Sequence, residues 1–211
     1  IGLDHRYSEM LDYQYGASDE IIKRDTGAYF YNSSAFLDNS LFFDFGYRRE
    51  QSRINLNNGT SDRNDLDAFS AGLTYVYKNN SKVFVSYDRS FRTQKVDELG
   101  GAGFDELLDP QTSKTWQAGI KHQFTDRLSA DFTVFHIDTE NEIFYDPTVL
   151  GGFFPGQNTS YDETERQGFE LGSQYQALDN LSLYTNFTYM DAELKGDDQT
   201  VGTDGNTIPG V

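Results

Sequence analysis

The chain has 211 residues, with 34 acidic against 17 basic side chains, a formal net charge of −17 and no cysteine. That balance disfavours nucleic acid as a partner, because phosphate binding needs clustered Lys and Arg, and the missing thiols exclude a disulfide framework or a thiolate metal site. Hydrophobic residues make up only 36% while aromatics reach 15%, as expected of strands that are apolar on one face, and no apolar run approaches the ~20 residues of a membrane-spanning helix.

Ile1-Gly2-Leu3-Asp4 opens the chain without a basic segment followed by an apolar one, so no secretory signal is read there and a mature or trimmed start is expected. The first readable strands, 26–36 and 41–51, flank Leu37-Asp38-Asn39-Ser40, and in the second Leu41, Phe43, Phe45 and Tyr47 alternate with Asp44, Gly46 and Arg48. Successive strand side chains point to opposite faces, so this alternation gives one apolar and one polar face. The clearest hairpin is 67–92: Phe69, Ala71, Leu73, Tyr75 and Tyr77 share a face, Lys78-Asn79-Asn80-Ser81 turns the chain, and Val83, Val85 and Tyr87 resume the pattern. In 114–123, Trp116, Ala118 and Ile120 oppose Gln117, Gly119 and Lys121. After the turn Phe124-Thr125-Asp126-Arg127, Leu128, Ala130, Phe132 and Val134 oppose Ser129, Asp131 and Thr133. The last pair, 164–177 and 181–194, flanks Ala177-Leu178-Asp179-Asn180, with Phe169, Leu171 and Tyr175, then Leu181, Leu183, Phe187 and Tyr189, on the apolar side. The end, Asn206 to Val211, stops without completing a strand, so an internal fragment is expected.

Asn and Asp tolerate the left-handed conformations that close hairpins, which makes the four short segments turns. Between them, 52–67, 93–111, 146–162 and 195–208 are rich in Gly, Asn, Asp, Thr and Pro and read as long loops. Short connections at one end and long ones at the other are the pattern of an outer-membrane β-barrel, with short turns in the periplasm and long loops outside the cell. Tyr47, Tyr77, Tyr87, Trp116, Phe124 and Tyr189 lie near the ends of apolar stretches, as an interfacial girdle requires. A soluble two-sheet sandwich shares the alternation but not the strand length or the ordering of connections.

Several segments carry a family resemblance. Leu108-Asp109-Pro110-Gln111-Thr112-Ser113-Lys114-Thr115-Trp116-Gln117-Ala118-Gly119-Ile120-Lys121 resembles the Leu-x-Pro-Glu-x-Ser-x-x-aromatic-Glu-x-Gly-x-Lys stretch of TonB-dependent outer-membrane receptors. Phe135 to Ile143 is similar to their Phe-x-x-x-x-x-Asn-x-Ile strand end, and Asn158 with Glu165-Arg166-Gln167-Gly168-Phe169-Glu170-Leu171 to their Asn and Arg-x-Gly-apolar-Glu-apolar segment. Leu181 to Ala192, Gly27-Ala28-Tyr29-Phe30 and Leu41 to Arg48 also match. The resemblance implies an all-β fold: an antiparallel transmembrane β-barrel segment of about 8–10 strands from a plugged barrel of about 22. Residues 1–211 are then part of one barrel domain, with the plug, the TonB box and the C-terminal strand expected to lie elsewhere. The implied role is energised import of a scarce nutrient, most often a ferric siderophore, otherwise cobalamin, haem or a glycan. The implied partners are outer-membrane lipid and lipopolysaccharide, a ferric-siderophore-like ligand and, through the plug, the TonB complex. A passive porin or adhesin-like barrel and a barrel enzyme are the competing readings.

No catalytic set is expected. His122 lies on the apolar parity beside a turn, His136 near an outer strand end and His5 near the start, while Asp138, Glu140 and Glu142 share strand parity about 7 Å apart and read as a solvated extension. No resident cofactor or metal is expected, iron entering only within a transported chelate; loop calcium on Asp197, Asp198 and Asp204 lacks the spacing of a calcium-binding loop. Gly100-Gly101-Ala102-Gly103 lacks the strand, helix and Lys of a phosphate loop, and the Asn-x-Ser/Thr matches at Asn58 and Asn158 matter only in a eukaryotic secretory protein. Ligand contact is expected from the loop aromatics Phe104, Tyr145, Phe153, Phe154 and Tyr161, with Arg92, and also Arg89 and Arg166, near outer strand ends for anionic groups.

Overall fold

A computed structural model describes residues 1–14, 17–56, 59–98, 107–151, 154–195 and 205–208. These residues form one antiparallel sheet in which each strand pairs with its neighbours in chain order. Its nine strands are β1 (Gly2–Gln14), β2 (Ala17–Phe36), β3 (Leu41–Leu56), β4 (Ser61–Lys78), β5 (Ser81–Arg92), β6 (Gln111–Thr125), β7 (Leu128–Gly151), β8 (Phe154–Leu178) and β9 (Leu181–Lys195). Among the described residues β1 and β9 do not pair, so the sheet is an open segment of barrel wall.

All four short turns stand where the sequence places them. Leu37, Asp38 and Asn39 have φ of 51°, 53° and 65°, and Asn80 has 56°, the left-handed region that Asn and Asp occupy at least cost. The ladder shifts register just inside three of the turns, at Val76/Lys78, Gln123/Thr125 and Gln176/Leu178. Each shift lets a straight ladder run into a tight reversal.

Two expectations change at the outer ends. Segments 52–67 and 146–162 are mostly strand: β3 and β4 stay paired out to Asn55 and Ser61, and β7 and β8 to Gly151 and Phe154. The whole of β1 and the first half of β2 are strand as well. Above the lipid neither face has to be apolar, so the alternation disappears while the backbone ladder continues, held by polar pairs such as Gln51 Nε2 to Asp65 Oδ1 at 3.1 Å.

The outward face carries Phe43, Leu73, Val85, Ile120, Phe132, Leu171 and Phe187, which remain 40–54% exposed within the sheet. A continuous apolar surface of this kind marks an interaction face and has the parity of the outer side of a barrel wall. Girdle candidates bracket it. Tyr77 and Phe124 lie beside the short turns, while Tyr47, Tyr87, Trp116 and Tyr189 lie toward the other end. Eight residues separate Trp116 from Phe124, about 27 Å of strand, which a tilt of roughly 40° reduces to about 21 Å, close to the ~25 Å apolar band of such barrels. Opposite this face, Asp44, Gly46, Ser70, Gly72, Thr74, Gln117, Lys121, Asp131 and Glu170 line a polar inner wall.

Gly168 is fixed by close packing: a Cβ there would strike the carbonyl oxygen of Tyr189, Phe135 Cζ at 2.9 Å and Met190 Cα at 3.0 Å. Two of these are backbone atoms of the neighbouring strand and cannot yield without breaking the β8–β9 ladder. Gly168→Val is therefore expected to cost more than 2 kcal/mol, as an overpacked core does at the upper end of its range of about 1–3. Heat-modifiable electrophoretic migration of the refolded protein, which reports the intact barrel, should be lost or its melting lowered by several degrees.

Candidate functional site

At the outer end, the inner face holds two polar clusters joined by a returning loop. The first lies on β1 to β3. Arg48 Nη2 donates to Asp4 Oδ1 and Oδ2 at 3.1 and 3.0 Å, and its Nε to Glu50 Oε2 at 3.1 Å, with Arg6 3.6 Å from the same oxygen. Ser52 Oγ donates to Asp25 Oδ1 at 2.6 Å, and Lys23 Nζ stands 3.8 Å from Asp25 Oδ2. Glu50, Ser52, Lys23 and Asp25 are all buried, and a buried charge is tolerable only when so partnered.

The segment after β5 folds across this cluster. Lys23 Nζ donates to Thr93 Oγ1 at 2.5 Å and to the Gln94 carbonyl at 2.9 Å. Gln94, only 3% exposed, accepts from the Leu108 amide at 3.0 Å and donates to the Glu98 carbonyl at 3.3 Å. Val96, in a single 3-10 turn (Val96–Glu98), and Leu107 pack on Ile21 and Ile54 with Met10 and Leu56. Arg92 bonds Glu98, and among the described residues its Nη1 is buried without a hydrogen-bond partner. Burial pushes the Lys23 ammonium below its ordinary pKa, only partly offset by Asp25.

The second cluster lies on β7 to β9. Arg166 grips Glu142 through two nitrogens at 2.7 and 2.8 Å, and Thr164 bonds both residues. Burial opposes ionisation of Glu142, but the hydrogen bonds from Arg166 and Thr164 outweigh it and hold the carboxyl below the usual carboxylate range. Phe144 and Tyr161 stack at 3.9 Å and 4°, packed with Ala192, Leu194 and Ile208. Asn158 Nδ2 donates to the Glu98 carbonyl at 2.9 Å. The segment 93–98 thereby spans the inner face from β2 to β8.

The acidic row of β7 is not one face. Glu140 bonds Lys114 on the outward side and Asp138 bonds His136, whereas Glu142 reaches Thr164 and Arg166 on the inward side. Asn141 between them has φ of 54°, and that left-handed residue reverses the phase of the alternation. The three carboxylates therefore each have a different partner and do not pair with one another. His122 hydrogen-bonds Tyr77 at 2.7 Å and meets Phe124 edge-on at 4.6 Å, beside the short turns, and His5 bonds Thr26 at 2.8 Å.

Of the expected ligand contacts, Tyr145 is on β7 and 57% exposed, Tyr161 is on β8 and 6% exposed, and Arg92 ends β5. Phe154 opens β8 opposite Gly151. Phe104, Phe153, Asp197, Asp198, Asp204 and the run 100–103 lie outside the described residues. Lys23 and Gln94, which organise the site, carry no expected role in the sequence, where the shared parity of Ile21, Lys23, Asp25 and Gly27 is the one signal for them; Glu142, expected in a solvated extension, is instead held by Arg166 and Thr164.

A family model described as TonB dependent receptor-like, beta-barrel matches residues 1–211. The chain is 28% identical over 159 residues to the metal-pseudopaline receptor CntO of Pseudomonas aeruginosa, covering 72% of this chain and 21% of that protein. It is 24% identical over 168 residues to the probable TonB-dependent siderophore receptor PiuA of Acinetobacter baumannii, covering 71% and 21%. The chain thus spans about a fifth of the length of these curated relatives. The structure of BauA, the ferric preacinetobactin receptor of Acinetobacter baumannii, aligns with a TM-score of 0.67 at 18% identity over 90% of this chain and 28% of that one.

Lys23→Ala removes the two hydrogen bonds from its Nζ to the returning loop while leaving the packing of Val96 and Leu107 on Ile21. Loss of one charge-assisted hydrogen bond, worth about 1.5–3 kcal/mol, predicts roughly tenfold or faster amide exchange at 93–98 with the strands unchanged. For Glu142, the folded pKa lies below the unfolded value of about 4.3, so its stabilisation is complete above that pH and lost as pH falls through the folded pKa. Glu142→Gln should lower stability by about 1–3 kcal/mol at neutral pH, and denaturation of both proteins followed against pH should show the difference closing only below about pH 4.

Proposed function

We propose, since the chain belongs to the TonB-dependent receptor β-barrel family, that the protein is an outer-membrane receptor importing a ferric siderophore or similar metal chelate. This chain supplies barrel wall, inner lining and outer loops. The names of its relatives, a metal-pseudopaline receptor and a siderophore receptor, support the cargo class. The observation that carries the reading is the segment 93–98 held across the polar inner face by Lys23 and Asn158. A wall carrying ordered polar groups and a loop folded over it suits capture of a large polar ligand, and Arg92 keeps an unengaged Nη1 there among the described residues.

In this reading the iron is cargo and no cofactor resides in the chain. Arg92 contacts the anionic groups of the chelate, with Tyr145, Phe104, Phe153 and Phe154 against its flat surfaces, and Tyr161, stacked on Phe144, contributes to the same lining. Lipid and lipopolysaccharide surround the girdle, and TonB acts through a plug. In this reading the chain performs no covalent chemistry, its family being one of receptors.

A deletion strain grown under iron limitation on a panel of ferric chelates should fail on at least one while still growing on ferrous iron. Equal growth on every ferric source would refute uptake of a ferric chelate. For the chelate that fails, Arg92→Ala should weaken binding about tenfold, or ~1.4 kcal/mol, as read by titration of the purified receptor.

A further inference from the structure

On the outward side of β7 and β8, immediately above the aromatic belt, lies a side-chain cluster that the uptake reading does not use. His136 is paired across the ladder with Trp116, which fixes its height at the upper edge of the apolar band. One step higher, Asp138 lies directly opposite Glu165, and Glu165 directly opposite Glu193. Another step up, Glu140 faces Glu163. Like charges directly opposite one another destabilise a sheet, and two lysines offset only part of this row: Lys114 lies opposite Asp138 and Lys195 opposite Glu163, two cations against five carboxylates. Lys114 is bonded to Glu140 at 2.8 Å; Lys195 lies 2.9 Å from Glu193 and only 3.9 Å from Glu165.

Within this row one imidazole and two carboxylates converge. His136 Nε2 is 3.0 Å from Asp138 Oδ1, and one ligand atom from each of His136, Asp138 and Glu165 lies within 4.8 Å of the others. Ligand atoms about 2.0–2.2 Å from a tetrahedral ion stand roughly 3.3–3.6 Å apart, so a modest rotation of the Glu165 side chain closes the set. All three are on neighbouring positions of two paired strands, so the ladder holds their spacing.

We propose that His136, Asp138 and Glu165 form a site for a divalent transition cation, of the zinc class, on the outward surface of the wall. An imidazole nitrogen with two carboxylate oxygens selects such ions over calcium, which takes oxygen ligands throughout. The cation takes the place of the direct His136–Asp138 contact, offsets the repulsion across β7 and β8, and keeps water in its remaining positions. It is resident rather than cargo, because these side chains face away from the inner wall.

The test uses the complete protein purified in detergent, stripped of metal and dialysed against Zn2+ alone, with Ca2+ alone in a parallel arm. The wild type is expected to retain one more zinc equivalent than His136→Gln, with Asp138→Asn and Glu165→Gln each weakening zinc at least tenfold. X-ray absorption should show one imidazole nitrogen among oxygen ligands. Heat-modifiable migration verifies folding of each variant, and Glu165→Gln stands in if His136→Gln fails to fold. Unchanged zinc stoichiometry in the folded variants overturns the site. So does a loss in Glu163→Gln equal to that in Glu165→Gln, or calcium binding as tight as zinc; these mark a diffuse counter-ion layer. Transport plays no part in the readout, so its failure leaves the uptake reading untouched.

Discussion

Within lipid no water is present to satisfy a backbone N–H or C=O, so each must bond to a neighbouring strand, and this requirement organises the chain. It explains why strands paired strictly in sequence order are joined by turns of few residues. It also explains why the ladder shifts near the turns occur beside them rather than in the apolar band. The side chains are then free to divide by parity, apolar outward and polar inward, because the backbone has no further polar demand to place on them.

Above the band the ladder persists for a different reason. Water is available there, yet β3 with β4 and β7 with β8 remain paired. The strands now carry polar groups on both faces, and those groups bond across the sheet. Freed from the lipid's parity rule, β7 can place Asn141 in a left-handed conformation and turn Glu142 inward to meet Arg166. A residue of that kind inside the band would put a polar side chain into lipid. The cluster on β7 to β9 depends on this freedom, since Tyr161 and Glu142 reach the inner face only past the reversal.

The candidate site was legible in part. Arg92 and Arg166 attract notice as basic residues near outer strand ends, and Asn158 sits in a recognisable segment. What they do is set by partners far along the chain: Arg166 by Glu142, Asn158 by the Glu98 carbonyl. Lys23 precedes the first strand legible in the sequence, and its burial comes from a loop that begins at Thr93. Tyr161 looks like a loop aromatic because its surroundings are polar, yet it stacks on Phe144 in a strand. Local polarity reports solvent nearby; it does not report whether the backbone is paired.

The sequence by itself determined the period of two, the turns, the absence of a spanning helix and, through the spacing of several segments, the family. These are local properties: each depends on residues within a few positions, where covalent geometry fixes which side chains share a face. Only the tertiary structure decided how far the strands extend, that the alternation reverses at Asn141, that 93–98 crosses the inner wall, and that Asp138 and Glu165 face each other beside His136. Those follow from register between strands and from the closing of long loops, which bring together residues whose separation in sequence carries no periodic signal.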